Sequence, residues 1–328
     1  MSRWIGRFLA IVGALAGAVV LVTAAWAVRE FHREPMPLLD RGLAPLHVAT
    51  STASTLTTAS GEPRTVMEME LDGVEPGPLR ITVSLPAGGE GRRLPVLIVL
   101  GGLEIGRESL RYVETHGENA LVAVQYPRSA TYWYEGTPLT KLPAIRASAL
   151  AVPSRVASLA AWLRSQPWAD PQKVSLLGYS FGAFFVPACA RVARADGQAF
   201  RFLVMAYGGA DMTRVFDANL RLRPRPLQWL VGRLLAAVVR PVEPALHLPY
   251  LPEEALFVTG LRDRKVPLAS ARRMQALKPE PKKVIDLDTV HMDPKNPALT
   301  RRIVEITRGW LVARGAIAPR AQSPGRAE

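Results

Sequence analysis

The hydrophobic pattern of the chain is strongest between Pro95 and Ala313. There, short and almost wholly apolar runs alternate with longer segments of helical period. Pro95–Leu100, Ala120–Gln125, Val174–Leu177, Phe202–Tyr207, Ala255–Thr259 and Lys283–Leu287 read as strands, and Ser154–Ser165, the stretch after Ser180 and Pro297–Ala313 read as helices. A further helical segment runs from Leu103 to about Asn119. Strands that are apolar at every position are covered on both faces, so the alternation predicts an α/β fold with a parallel sheet. Upstream, Thr65–Leu71 and Leu79–Leu85 alternate polar and apolar across Asp72-Gly73 to Pro78, the pattern of an antiparallel hairpin. Residues 212–250 break the alternation. They contain an amphipathic helix, Leu227–Arg240, and read as a helical cap inserted between two strands.

The first residues follow another pattern. Phe8 to Val28 carry no charge, and as a helix they would span roughly 31 Å, the thickness of a bilayer core. Arg3 and Arg7 precede the segment, whereas Arg29 and Arg33 after it are balanced by Glu30 and Glu34. That asymmetry predicts a cytoplasmic N-terminus and an exported domain. Ala25-Trp26-Ala27 also has the small-x-small form of a signal-peptide cleavage site, so residues 1–28 read as an anchor or as a signal cleaved near Ala27; both export the domain, to the periplasm or the cell exterior. Residues 29–63 hold several prolines and a Ser/Thr/Ala stretch, and predict a flexible tether. A folded domain then occupies 64–315, and 316–328 read as a disordered tail.

Composition narrows the picture only a little. With 328 residues and 48% hydrophobic content, the chain can bury one large core. The net charge of +13 is spread without an aromatic-interleaved basic motif, so a nucleic-acid partner is not expected. In the cap, Arg221, Arg223, Arg225, Arg233 and Arg240 occur with no acidic residue between the first and the last. They fit either a lid touching an acyl chain or membrane, or a helix packed on the core with solvated arginines. Cys189 is the single cysteine and reads as a small buried residue.

The chemistry concentrates at Lys173–Ala183, where an apolar strand breaks into Gly178-Tyr179-Ser180-Phe181-Gly182 and continues as a helix. So sharp a turn leaves no room for side chains two residues either side of the serine, and it lifts the Ser180 hydroxyl above the sheet edge. A serine needs a base to take its proton, the base needs an orienting carboxylate, and the developing oxyanion needs N–H donors. His291, on the loop after the last strand, is the expected base; His116, His247, His32 and His47 are the other histidines. Asp263, after the strand ending at Gly260, is the expected acid, with Asp211 its rival after Gly208-Gly209-Ala210. The N–H of Phe181 and that of Gly102 or Leu103 are the expected oxyanion donors. Tyr179 and the aromatic run Tyr132-Trp133-Tyr134 lie where a substrate would bind, although the run equally fits packing against the insertion.

Together Gly178 to Gly182, Gly260 through Asp263 to Pro267, and His291 resemble the α/β-hydrolase superfamily, over about residues 65–315. The resemblance implies an eight-stranded, mostly parallel sheet, a Ser180-His291-Asp263 triad and an acyl-serine intermediate, with no metal or cofactor. Leu100 stands where one lipase and esterase branch has the histidine of His-Gly-Gly-Gly, and the chain looks nearer the dienelactone-hydrolase and prolyl-oligopeptidase-like branches. The expected activity is hydrolysis of a carboxylic ester, from a small-molecule or lipid-like substrate. A thioesterase, peptidase or acyltransferase on the same triad is the alternative, as is an inactive fold that binds an envelope partner.

Overall fold

The structure is a computed structural model that describes residues 2–127, 138–293 and 295–319. Its helices are α1 (Ser2–His32), α2 (Met36–Leu39), α3 (Pro138–Arg164), α4 (Phe181–Ala195), α5 (Met212–Asn219), α6 (Arg225–Val238), α7 (Leu268–Leu277) and α8 (Pro297–Ala313). Its strands are β1 (His47–Thr57), β2 (Pro63–Asp72), β3 (Leu79–Pro86), β4 (Leu94–Leu100), β5 (Ala120–Val124), β6 (Ala169–Tyr179), β7 (Phe202–Ala206), β8 (Glu254–Gly260) and β9 (Lys282–Leu287). They form one sheet in the order β1-β2-β3-β5-β4-β6-β7-β8-β9. The first three strands and the β3–β5 pair are antiparallel, and every pair from β5 to β9 is parallel. The carboxyl ends of β4, β6, β7, β8 and β9 therefore share one edge, and the loops that leave it carry the chemistry.

Strand residues alternate between two cores. Val96, Ile98 and Leu100 join the core packed under α3, α4 and α7. Leu97, Val99, Leu121 and Leu177 face the opposite layer, where α8 contributes Leu299, Ile303, Trp310 and Leu311. The sheet is thus covered on both faces, as its continuous apolar strands require. Helix α3 begins well before Ser154, where a helix start was expected. It runs through Pro143 and Pro153, which the sequence pattern reads as boundaries. The expected helix after Leu103 is a 3₁₀ turn, Gly106–Tyr112.

Two expectations about the flanks are corrected. The sheet has nine strands among the described residues, not eight, because the expected tether contains β1. All eleven residues of β1 are exposed, so burial does not order them. The backbone ladder from His47↔Asp72 to Thr57↔Pro63 does, helped by threonines that suit an extended chain. Upstream, α2 buries Leu39, and Leu46 is buried too. At the other end, Ala316 and Ile317 are buried beneath α8, so the domain extends past 315. Residues 320–328 of the expected tail lie outside the described residues.

Helix α1 passes without a break through Ala25-Trp26-Ala27. Its described side chains from Val12 to Val22 are exposed, whereas Thr23, Trp26, Ala27, Glu30 and Phe31 are shielded, a stripe at helical spacing. The buried Glu30 pairs with Arg146 of α3 at 2.6 Å, and Arg146 also donates to the Val238 carbonyl at the end of α6. Trp26 packs against the core and lies 5.7 Å under Arg146, while Arg240 stacks over Phe31.

Candidate active site

Strand β6 hands over to α4 at Ser180, whose backbone takes φ 52° and ψ −115°, a conformation that a residue with a Cβ rarely holds. The surroundings enforce it. A Cβ on Gly178 would stand 2.5 Å from Val186 Cγ2, and one on Gly182 would overlap the Leu100 carbonyl of β4. The Ser180 N–H stays bonded to the Ala206 carbonyl at 2.9 Å, so the strained residue is pinned to β7 as the helix begins.

The Ser180 hydroxyl lies 2.7 Å from His291 Nε2, and His291 Nδ1 lies 2.6 Å from Asp263 Oδ2. Asp263 Oδ1 accepts from the N–H groups of Lys265 and Val266 at 2.8 and 2.9 Å, which locks the carboxylate plane. The Asp263 side chain is 3% exposed and that of His291 10%. Tyr207 meets the His291 ring edge-on, with centroids 5.7 Å apart, and its hydroxyl bonds Thr289 of the same loop. Neither supporting contact is legible in sequence, because Tyr207 looks like the last residue of an ordinary core strand.

The other candidates are occupied elsewhere. Asp211 has a left-handed backbone, caps α5 and pairs with Arg214 at 2.9 Å. His247 is fully buried and donates from Nε2 to the Pro241 carbonyl. His116 is buried against Ser84, and His32 and His47 lie exposed at the end of α1 and in β1. Burial lowers both His116 and His247 to about 4, with the Arg64 charge adding to the effect at His116. Both histidines are neutral in the fold, so the unfolded chain binds more protons between pH 6.5 and 4. Stability therefore falls as the solution is acidified through that window, on the order of 2 kcal/mol per histidine by pH 5. Urea unfolding at pH 7 and pH 5 measures the loss, and it shrinks in His116→Gln and His247→Gln.

Phe181 opens α4 directly behind Ser180, at the end of the helix where backbone N–H groups point outwards. Across from it, the Gly102 carbonyl accepts from Ile105 and Gly106, at 3.2 and 3.0 Å, which closes a turn. The Leu103 N–H is anti to that carbonyl across the trans peptide and points out of the turn. Tyr126 donates to the Gly101 carbonyl at 2.7 Å and stacks edge-on against Phe181, tying the two sides together. Gly102, Leu103, Tyr179, Ser180, Phe181 and His291 all line one cavity of about 460 Å³, and the cap reaches it through Val215 and Asn219. Burial pushes the Tyr179 phenol up to about 12. Tyr132, Trp133 and Tyr134 lie outside the described residues. Among the described residues no group of carboxylates, histidines and cysteines has the arrangement of a metal site. Cys189 is buried, and its thiol is raised above its usual range by desolvation.

Residues 154–295 match the prolyl oligopeptidase family. No curated protein matches the chain in sequence. Among solved structures, acetyl xylan esterase 1 from Thermoanaerobacterium sp. JW/SL YS485 superposes with a TM-score of 0.58 at 15% identity, covering 87% of this chain and 93% of that one. Esterase 2 of Thermogutta terrifontis, with butyrate bound, gives 0.52 at 14% identity over 76% and 94%. A puromycin-hydrolyzing peptidase of Mycobacterium tuberculosis gives 0.51 at 15% identity, over 80% of this chain and 46% of that one. Sheet order, a serine on the strand-to-helix turn and these likenesses converge: the chain has the α/β-hydrolase fold.

Proposed function

We propose that the chain is a membrane-anchored serine esterase that works outside the cytoplasm. The observation that carries it is the relay Ser180–His291–Asp263, with 2.7 and 2.6 Å links, on a turn that presents the serine to a cavity. His291 Nε2 takes the Ser180 proton as Oγ attacks the ester carbonyl, while Asp263 holds the imidazole and steadies its positive form. The N–H groups of Phe181 and Leu103 receive the oxyanion. His291 then protonates the leaving alcohol, and a water activated by the same nitrogen releases the acyl group from Ser180.

The match of residues 154–295 to a peptidase family supports a second reading, amide cleavage by the same relay. A panel of p-nitrophenyl esters, acyl thioesters and aminoacyl p-nitroanilides at one concentration separates them. Esters are expected to turn over fastest; faster release from the anilides overturns the ester reading.

The anchor rests on α1. Its stretch Val12–His32 has a mean hydropathy of 1.8, and the part that precedes the docked residues, 2–22, would make about 31 Å of helix, enough to cross a bilayer. The docked Trp26 and the unbroken helix favour retention over cleavage near Ala27. The intact chain is expected in the membrane pellet after carbonate washing, and a chain lacking residues 2–22 in the supernatant with its esterase activity. A mature protein beginning at Val28 would overturn retention.

A further inference from the structure

The cavity does not stop at the catalytic residues. It continues along the sheet face between β4, β5 and β6 on one side and α8 on the other, lined by Leu97, Val99, Leu121, Leu177 and Leu311. At its far end stand Asn119 and Arg308, both beside Gly117, where a Cβ would lie 3.3 Å from Asn119 Oδ1 and 3.2 Å from Arg308 Nη2. Asn119 immediately precedes β5, whose Ala120 pairs with Val96 near the start of β4, whereas Ser180 sits at the opposite end of the sheet. By strand rise, that places the far end about 15–20 Å from the nucleophile.

The far end is polar and unsatisfied. Arg308 Nε and Nη2 are both buried, and neither has a hydrogen-bond partner. Nor does Asn119 Nδ2, in a residue 1% exposed. Buried donors are rarely left without acceptors, because each costs its full desolvation. The neighbouring Arg64 shows the ordinary solution: its guanidinium is buried, yet it bonds Ser84 Oγ and the carbonyls of Ser84, Gly117 and Asn119. Arg308 has no such partners, and no carboxylate among the described residues pairs with it. The Nε–Nη2 edge of a guanidinium matches the two oxygens of a carboxylate, side on.

We infer that Arg308, with Asn119, forms a subsite for a carboxylate at the remote end of the substrate's acyl arm. The inference rests on the esterase reading and names its substrate class: esters of medium-length dicarboxylic acids, hydrolysed at one end. The acyl arm is the one that remains bonded to Ser180 after the alcohol leaves, so the branch that runs along the sheet under α8 suits it, while the alcohol departs towards solvent. The apolar middle excludes water from the methylene chain, and the far donors pair the distal charge. Only the scissile C–O bond breaks, with water supplying the new hydroxyl and the proton of the alcohol.

The test compares p-nitrophenyl hydrogen suberate with p-nitrophenyl methyl suberate, which has the same chain with its charge masked. The wild-type kcat/KM is expected to favour the acid by about 10- to 100-fold, the range of a hydrogen-bonded charge. Arg308→Gln removes the charge, and Asn119→Asp supplies an internal carboxylate to Arg308. Each is expected to lower that ratio at least about tenfold, with thermal melts confirming that both fold. A wild-type ratio near one, or a ratio unchanged in both folded variants, overturns the subsite. Protection of Ser180 from a fluorophosphonate by free azelate reads the subsite without turnover. It is expected in the wild type and lost in Arg308→Gln. Acetate protecting equally well would mean a site for small free anions, and overturns the acyl-arm assignment. If neither ester is hydrolysed yet azelate protects, the ester reaction falls and the subsite stands. If esters are hydrolysed without preference and azelate does not protect, the subsite falls alone.

Discussion

Ser180→Ala is expected to lower turnover of an activated ester by about 10⁶, to the level that binding and oxyanion donors sustain alone. The loss is this large because Ser180 and His291 act as one unit: without Oγ, His291 Nε2 has no hydroxyl to activate at 2.7 Å. The fold is expected to survive, since the φ of 52° at position 180 is imposed by its neighbours and alanine carries the same Cβ. Equal melting temperatures, together with loss of fluorophosphonate labelling, check this. A mutant that keeps a tenth of the activity would place the nucleophile elsewhere.

Asp263→Asn is expected to cost about 10⁴ in kcat, and the hydrogen bonds around the carboxylate say why. Oδ1 accepts from the N–H groups of Lys265 and Val266, so an asparagine must leave its oxygen there. Its NH₂ then faces His291 Nδ1, which has to become an acceptor. The imidazole proton moves to Nε2 and points at Ser180, where a base is needed. Asp211→Asn, in contrast, loses part of its pairing to Arg214 and of its hold on α5 but none of this tautomer control, so stability falls slightly and kcat holds. Measuring kcat for both variants on one ester decides the assignment; a larger loss in Asp211→Asn would reverse it.

The sheet was legible because its central strands carry short, almost wholly apolar runs, and the serine turn because two glycines bracket it. The limits of Pro297–Ala313 were legible as well, from a proline at the start and amphipathic spacing thereafter. What escaped was held by forces that leave little trace in a hydrophobic pattern. The strand β1 is ordered by its main chain, with Ser, Thr and Ala side chains that bury nothing. Helix α3 accommodates two prolines because neighbouring elements pack it along its length. The Tyr207–Thr289 support of His291 joins residues far apart in sequence, and the polar end of the cavity brings Asn119 to Arg308 from opposite halves of the chain.

The clamp of Glu30 on Arg146, with Trp26 beneath the guanidinium, has a mechanical consequence. A domain on a loose leash would sample a hemisphere and meet substrates at any height. Under the anchoring proposed above, the bilayer segment and the domain would share one rod, and Arg146 latches that rod to the end of α6. Such an enzyme keeps a constant stand-off from the lipid and explores mainly by rotating and drifting in two dimensions. The exposed Leu227, Trp229 and Leu230 of α6 then travel at a set level relative to the headgroups. Its working range is therefore a thin layer, and molecules outside that layer must diffuse into it to be met.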